Sequence, residues 1–210
     1  MEIFKRWKRY IEISEVGPLV RRFFVMNAFD GSLTTLGIII GAWVGNGGFF
    51  NMPASLIFSL STIRFIVLVG LATAFSMGVS GIWGSYLTEE AEREKEQKEI
   101  ERAMVMTKKT FRQDSEIVKA QKFGSKLCAL VDGLSPAMAA IICLIPFFLG
   151  LVLPLHAVAF LLSMACTFTV LICLGLFLGK ISEKSLGKSA LKMAIAGLLI
   201  TVLFIVLPLG

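Results

Sequence analysis

Five stretches of about twenty residues with almost no charge dominate this 210-residue chain. They run Phe23–Val44, Phe65–Leu87, Leu127–Leu151, Ala157–Leu178 and Met193–Leu209. At a rise of about 1.5 Å per residue, each helix crosses or nearly crosses ~30 Å of hydrocarbon. A water-soluble core cannot take up five such runs, which are too long and too uniform to bury together. Composition agrees, with 56% hydrophobic residues, only 17% charged ones and a mean hydropathy of +0.79. The expected fold is an all-α integral membrane protein with five transmembrane helices. The first run is not read as a cleaved signal, since it follows twenty-two charged and amphipathic residues, contains Asp30 and exceeds a signal core in length.

The net charge of +6 would point to nucleic acid in a soluble protein. Here segments 1–22, 88–126 and 179–192 hold 20 of the 21 Lys and Arg residues, and only Arg64 falls elsewhere. Basic residues collect on the cytoplasmic side of a membrane protein, so the N-terminus and both charged loops are expected inside and the C-terminus outside. The organisation is then a cytoplasmic amphipathic segment (1–22), a first transmembrane pair (23–87), a charged helical loop (88–126), a second pair (127–178), a basic loop (179–192) and a final helix (193–210). Membrane lipid is the expected surroundings and nucleic acid is not a partner. Residues 54–63 are too short to cross and read as an outward extension of the second helix, with Arg64 snorkelling to the interface. Near the N-terminus, Ile3, Phe4, Trp7, Tyr10 and Ile11 recur at helical spacing opposite Lys5, Arg6, Lys8 and Arg9. That pattern fits an interfacial helix on an anionic leaflet, and equally a basic flank that only sets topology.

Two stretches echo each other: Asn27-Ala-Phe-Asp-Gly-Ser-Leu-Thr34 and Leu130-Val-Asp-Gly-Leu-Ser-Pro136, each opening an outward-running span. Phe75-Ser-Met-Gly78 and Leu162-Ser-Met-Ala165 echo in the spans that follow. The chain reads as two helix pairs in parallel repeat plus a final helix, a plan used by transporters. Asp30 and Asp132 are the only acids inside the apolar runs. An ionised Asp at mid-helix costs roughly 2.5–3.5 kcal/mol on insertion scales, so something must offset it. In the first span Asn27, Asp30, Thr34, Gly37, Gly41 and Gly45 share one face, and in the second Gly70, Thr73, Met77, Ser80 and Gly84 do. Asp30 and Met77 fall at similar depths and can face one ion. A carboxylate beside a thioether suits ferrous iron, manganese or a similar first-row cation better than magnesium or calcium. Met77 also reads as ordinary packing. Asp132 has no soft partner at its own depth, so it is expected to carry a counter-transported proton or to hold its helix by hydrogen bonding.

In the charged loop, Glu89, Glu92, Glu96 and Glu99 form one helical stripe that continues to Ala103 and Met106. Four carboxylates at this spacing can capture cations, above all with a facing stripe from a second protomer. The same run is also a solvated helix held by Glu89 with Arg93 and Glu94 with Lys98. Cys128, Cys143, Cys166 and Cys173 lack a CxxC pair, so they read as small buried hydrophobes, Cys128 lying one turn before Asp132. His156 reads as a loop residue.

The motifs Asp30-Gly-Ser-Leu-Thr-Thr-Leu-Gly37, Ala74-Phe-Ser-Met-Gly-Val-Ser-Gly81 with an acidic helix after it, and Asp132-Gly-Leu-Ser-Pro136 follow one another in order. In this the chain resembles the vacuolar iron transporter family, whose prokaryotic members sit in the cell membrane. The resemblance spans nearly the whole chain. It implies a five-helix protomer, a homodimer with the ion path at its interface, and proton-coupled export of divalent iron or manganese from the cytoplasm. The path-lining aspartate and methionine of that family correspond to Asp30 and Met77, and its glutamate-rich helix to the stretch after Tyr86. The chain departs from the pattern after that helix: 39 residues separate its second and third spans, and the later Met and Glu positions of the family's metal-binding domain have no counterpart. The divalent cation is cargo, so neither an enzyme nor a cofactor is expected. An intramembrane aspartyl protease would carry Gly-x-Gly-Asp, whereas Ala28-Phe29 and Leu130-Val131 precede the two acids. A phosphatidyltransferase motif would continue beyond Asp-Gly in a way Asp30-Gly-Ser-Leu does not. A scaffold that uses its glycine faces only to oligomerise stays open.

Overall fold

The computed structural model describes residues 2–47, 59–103, 116–153 and 156–206. Six helices run through them: α1 (Glu2–Ser14), α2 (Gly17–Gly45), α3 (Leu60–Ala103), α4 (Glu116–Val152), α5 (His156–Ile181) and α6 (Leu186–Val206). No strand occurs among the described residues. Five of the helices, α2 to α6, are long and apolar enough to cross a membrane. The first part of the outward loop, residues 48–58, lies outside the described residues, as do 104–115 of the charged loop, including Met106, and the last residues of the fifth expected span.

The helices overrun the expected spans at their charged ends. The charged loop is not a separate element: Thr88 to Ala103 prolong α3, and α4 already begins at Glu116. The basic loop shrinks to residues 182–185, because α5 reaches Ile181 and α6 starts at Leu186 instead of Met193. Likewise Leu60–Ile63 are the first turn of α3, His156 is the first residue of α5, and Gly17 to Arg22 belong to α2. The cause is local. Apolarity ends where the hydrocarbon would, but a backbone rich in Glu, Lys, Arg and Ala goes on coiling in water. In α3 this is reinforced by pairs at i,i+4: Glu89 with Arg93 at 3.6 Å, Glu94 with Lys98 at 3.9 Å and Lys95 with Glu99 at 3.9 Å. At 44 residues α3 is about 66 Å long, roughly twice the hydrocarbon thickness. Helices stop where the backbone turns: Glu15 (φ 51°) ends α1, and Gly17-Pro18 open α2 in the position where proline's missing N–H costs nothing.

The chain divides into two compact units, and α2, α3 and α4 contribute to both. The larger comprises residues 25–77 and 135–210. Its core joins Leu36, Ile39, Ile40 and Trp43 of α2 to Ile63, Ile66 and Val67 of α3, Leu144 and Phe147 of α4 and Phe160 of α5. The Trp43 and Phe160 rings meet at 6.0 Å. Pro146, inside α4, has no N–H to give to the Ile142 carbonyl one turn back. Helix α5 supplies replacements: the Cys166 thiol lies 3.5 Å from that oxygen and the buried Ser163 hydroxyl donates to Cys143 O at 2.5 Å. Among lipid tails no water can do this, so side chains from a neighbouring helix must.

The smaller unit comprises residues 1–24 and 78–134. Helix α1 forms as its periodicity predicts. Its aromatic side lies on α4, with Trp7 and Tyr10 at 5.9 and 5.7 Å from the Phe123 ring, and Arg9 bonds Glu116 at 2.6 Å. Helices α3 and α4 cross closely here, since a methyl group at Gly81 would lie 2.6 Å from Gly133 Cα and one at Gly133 only 2.2 Å from Gly78 O.

Candidate functional site

The two Asp-Gly pairs divide their tasks in different ways. In α2, Gly31 faces the core of the larger unit, where a methyl group would lie 2.2 Å from Pro136 O, so backbone meets backbone. Ser32, Thr35 and Leu36 are buried on that side, the first two satisfying themselves on Ala28 O and Gly31 O at 2.8 and 2.9 Å. Asp30 is exposed, in one stripe with exposed Met26 and Thr34. Asp30 lies about 20 Å from the start of a helix about 44 Å long, near its middle. A carboxylate there faces away from its own protomer's core.

The small-residue face that continues this stripe is only partly open. Gly37 and Gly41 lie against the Phe204 ring of α6, where added methyl groups would meet it at 3.5 and 3.6 Å, whereas nothing lies within 4 Å at Gly45. Two glycines one turn apart leave a groove that a flat ring fills. Met77 belongs to the same unit as Asp30 and is half-buried, as is Thr73, whose hydroxyl bonds Val69 O at 2.8 Å.

The second pair is turned inward. Gly133 makes the close crossing with Gly78, and Asp132, half-buried, accepts a hydrogen bond from the Ser85 hydroxyl on α3. That contact ties α4 to α3 one turn from the crossing. Ser85 did not emerge from the sequence reading, although Gly78, Gly81 and Ser85 stand at steps of three and four and mark the side of α3 that packs closely. The side chosen instead ends in Ser80 and Gly84, both exposed. Cys128 is fully buried, in keeping with a small core residue, and so is Cys143; Cys166 is half-buried and Cys173 exposed.

The glutamate stripe lines one open cleft of about 420 Å³ in the smaller unit. Glu89, Glu92, Glu96 and Glu99 form one wall with Arg93 and Lys95, and Ser14 of α1 and Gln121 of α4 complete it. At the end nearer the apolar part of α3, the Arg93 side chain bonds Ser125 of α4, whose hydroxyl lies 3.5 Å from Glu89 Oε2. Glu89 and Glu99 thus have basic neighbours, and Glu92 and Glu96 have no ion pair among the described residues. Four acids against two bases leave the cleft negative. Both expectations for this run therefore meet in one place: the i,i+4 pairs form, and the acids gather at a cavity. Among the described residues, no three His, Cys, Asp or Glu side chains converge into a metal-binding group within one protomer. Neither Ser14, Ser125 nor Gln121 carries a signal in the sequence, since each is brought to the stripe by packing from a distant part of the chain.

No family model matches the sequence. One relative is an uncharacterized protein, MJ0645, of the archaeon Methanocaldococcus jannaschii, 30% identical over 182 residues. The match takes in 87% of this chain and 85% of the relative, so the whole helical arrangement is shared, and the chain belongs to the same family as that archaeal protein.

Proposed function

We propose that the protein is a divalent transition-metal transporter that exports iron or manganese from the cytoplasm by proton antiport through the interface of a homodimer. The observation that carries this reading is Asp30, exposed near the middle of a 29-residue apolar helix. Left in hydrocarbon, that carboxylate costs roughly 2.5–3.5 kcal/mol. Two copies facing each other across a shared path, with a dication between their carboxylates, offset the cost and give the charge a purpose. Met77 in the same unit adds a soft donor that favours first-row transition cations over magnesium and calcium.

The negative cleft beside α3 supports capture of the cation before it enters the membrane, with Glu92 and Glu96 as the carboxylates least engaged by basic neighbours. The 20 of 21 basic residues outside the outward segments support an N-in, C-out orientation in the cell membrane. Asp132, held by Ser85, serves as the clasp between α3 and α4 or as the carrier of the antiported proton.

The test is transport by purified protein in sealed vesicles, with manganese or ferrous iron offered on one side and a pH-sensitive dye on the other. Wild type should move metal one way and protons the other. Asp30→Asn should abolish transport, because an amide cannot neutralise a dication, and Met77→Leu should weaken it or alter metal preference. A folded Asp30→Asn protein that transports at the normal rate removes the proposed site, and a wild type that moves no metal leaves the scaffold reading in its place.

A further inference from the structure

We propose that the corner between α5 and α6 is a binding site for an anionic phospholipid, its headgroup held by lysines and one acyl chain lying along α6. The site belongs wholly to the larger unit and does not depend on the transport reading. Lys180, Lys184, Lys188 and Lys192 stand four residues apart through the last turn of α5, the connecting turn and the start of α6, and all four are exposed. Glu183 is the only acid between them, and none of the four lysines forms an ion pair among the described residues.

The corner is rigid. Lys184 N–H bonds Gly179 O at 3.1 Å and Ser182 N–H bonds Leu178 O at 3.0 Å, with Glu183 in the left-handed conformation (φ 52°) that closes a helix in this way. The arms then touch through backbone: a methyl group at Gly175 would lie 2.6 Å from Ala190 Cα. Lysines on such a corner are held at fixed separations.

What singles out a phospholipid is the continuation of the lysine face. Along α6 the exposed stripe runs Lys188, Lys192, Ile195, Leu199, Val202, Val206, changing from cationic to purely apolar at one step. From Ile195 to Val206 is about 16 Å, half of the ~30 Å hydrocarbon layer and therefore the depth of one leaflet. A cationic head and an apolar stripe one leaflet long match a lipid of opposite headgroup charge. Inorganic phosphate would use only the first part.

Purified protein is equilibrated with phosphatidylglycerol and phosphatidylcholine of identical chains, and bound lipid is counted by native mass spectrometry. Each lysine near an anionic surface is worth about fivefold in affinity, so wild type should prefer phosphatidylglycerol by at least about tenfold. K180Q/K184Q/K188Q/K192Q should lose that preference, and K98Q/K119Q/K122Q/K126Q, with the same net charge, should keep it. Excess inorganic phosphate should fail to displace the lipid. Equal affinity of wild type for the two lipids, or the same loss in both variants, overturns the site. Displacement by inorganic phosphate overturns the lipid as its occupant, and so does disulfide formation between copies carrying Leu199→Cys, which would mean that a second protomer covers the stripe.

Discussion

Replacing Gly31 with alanine puts a methyl carbon 2.2 Å from Pro136 O, 2.7 Å from Pro136 Cα and 2.8 Å from its carbonyl carbon. All three are backbone atoms, and no rotamer can move them aside. Separation to ordinary contact needs about 1 Å of helix displacement, in a region where Ser32, Thr35 and Leu36 are packed without exposure to solvent. Overpacking of this kind costs typically 1–3 kcal/mol, and the backbone contacts place it at the top of that range. Alanine returns up to about 1 kcal/mol in helix propensity, for a net loss of about 2 kcal/mol. Gly37→Ala is the internal control: its methyl group would meet the Phe204 ring at an ordinary 3.5 Å, so the propensity gain stands and stability should hold or rise. In detergent, Gly31→Ala should unfold roughly 4–8 °C below wild type for a chain of this size, and Gly37→Ala at or slightly above it. If Gly31→Ala is as stable as wild type while Gly37→Ala is destabilised, the close α2–α4 crossing is wrong, and with it the placement of Asp30 on the open side of α2.

Ser85→Ala should cost about 1–3 kcal/mol, because it strips the half-buried Asp132 of its hydroxyl donor, and pairing it with Asp132→Asn in a double-mutant cycle should show strong coupling; additive effects would mean the contact is idle. Replacing Glu89, Glu92, Glu96 and Glu99 together with Gln should raise the apparent KM for metal and leave a residual maximal rate in vesicles, an unchanged KM returning the stripe to a solvated helix. A cysteine placed at Gln97 should resist membrane-impermeant label in intact cells, while one placed near the C-terminus should react, and labelling at Gln97 from outside would reverse the proposed direction of transport.

The number and approximate position of the apolar helices were legible in the sequence, because hydrocarbon imposes a length and a near absence of charge that few other constraints mimic. The glutamate stripe and its i,i+4 partners were legible for a similar reason: steps of three and four are local geometry. Helix ends were not, since α3 runs on to Ala103 and α6 starts at Leu186 under propensity and capping that hydropathy ignores. Which side of each helix is open was decided only by packing. Asp30 and Asp132 sit in the same dipeptide, yet one is exposed and the other takes a hydrogen bond from Ser85, because Gly31 meets a proline backbone on one neighbour and Gly133 a glycine on another. Periodicity places residues on a common face, but only the identity of the helix across from them says whether that face is covered.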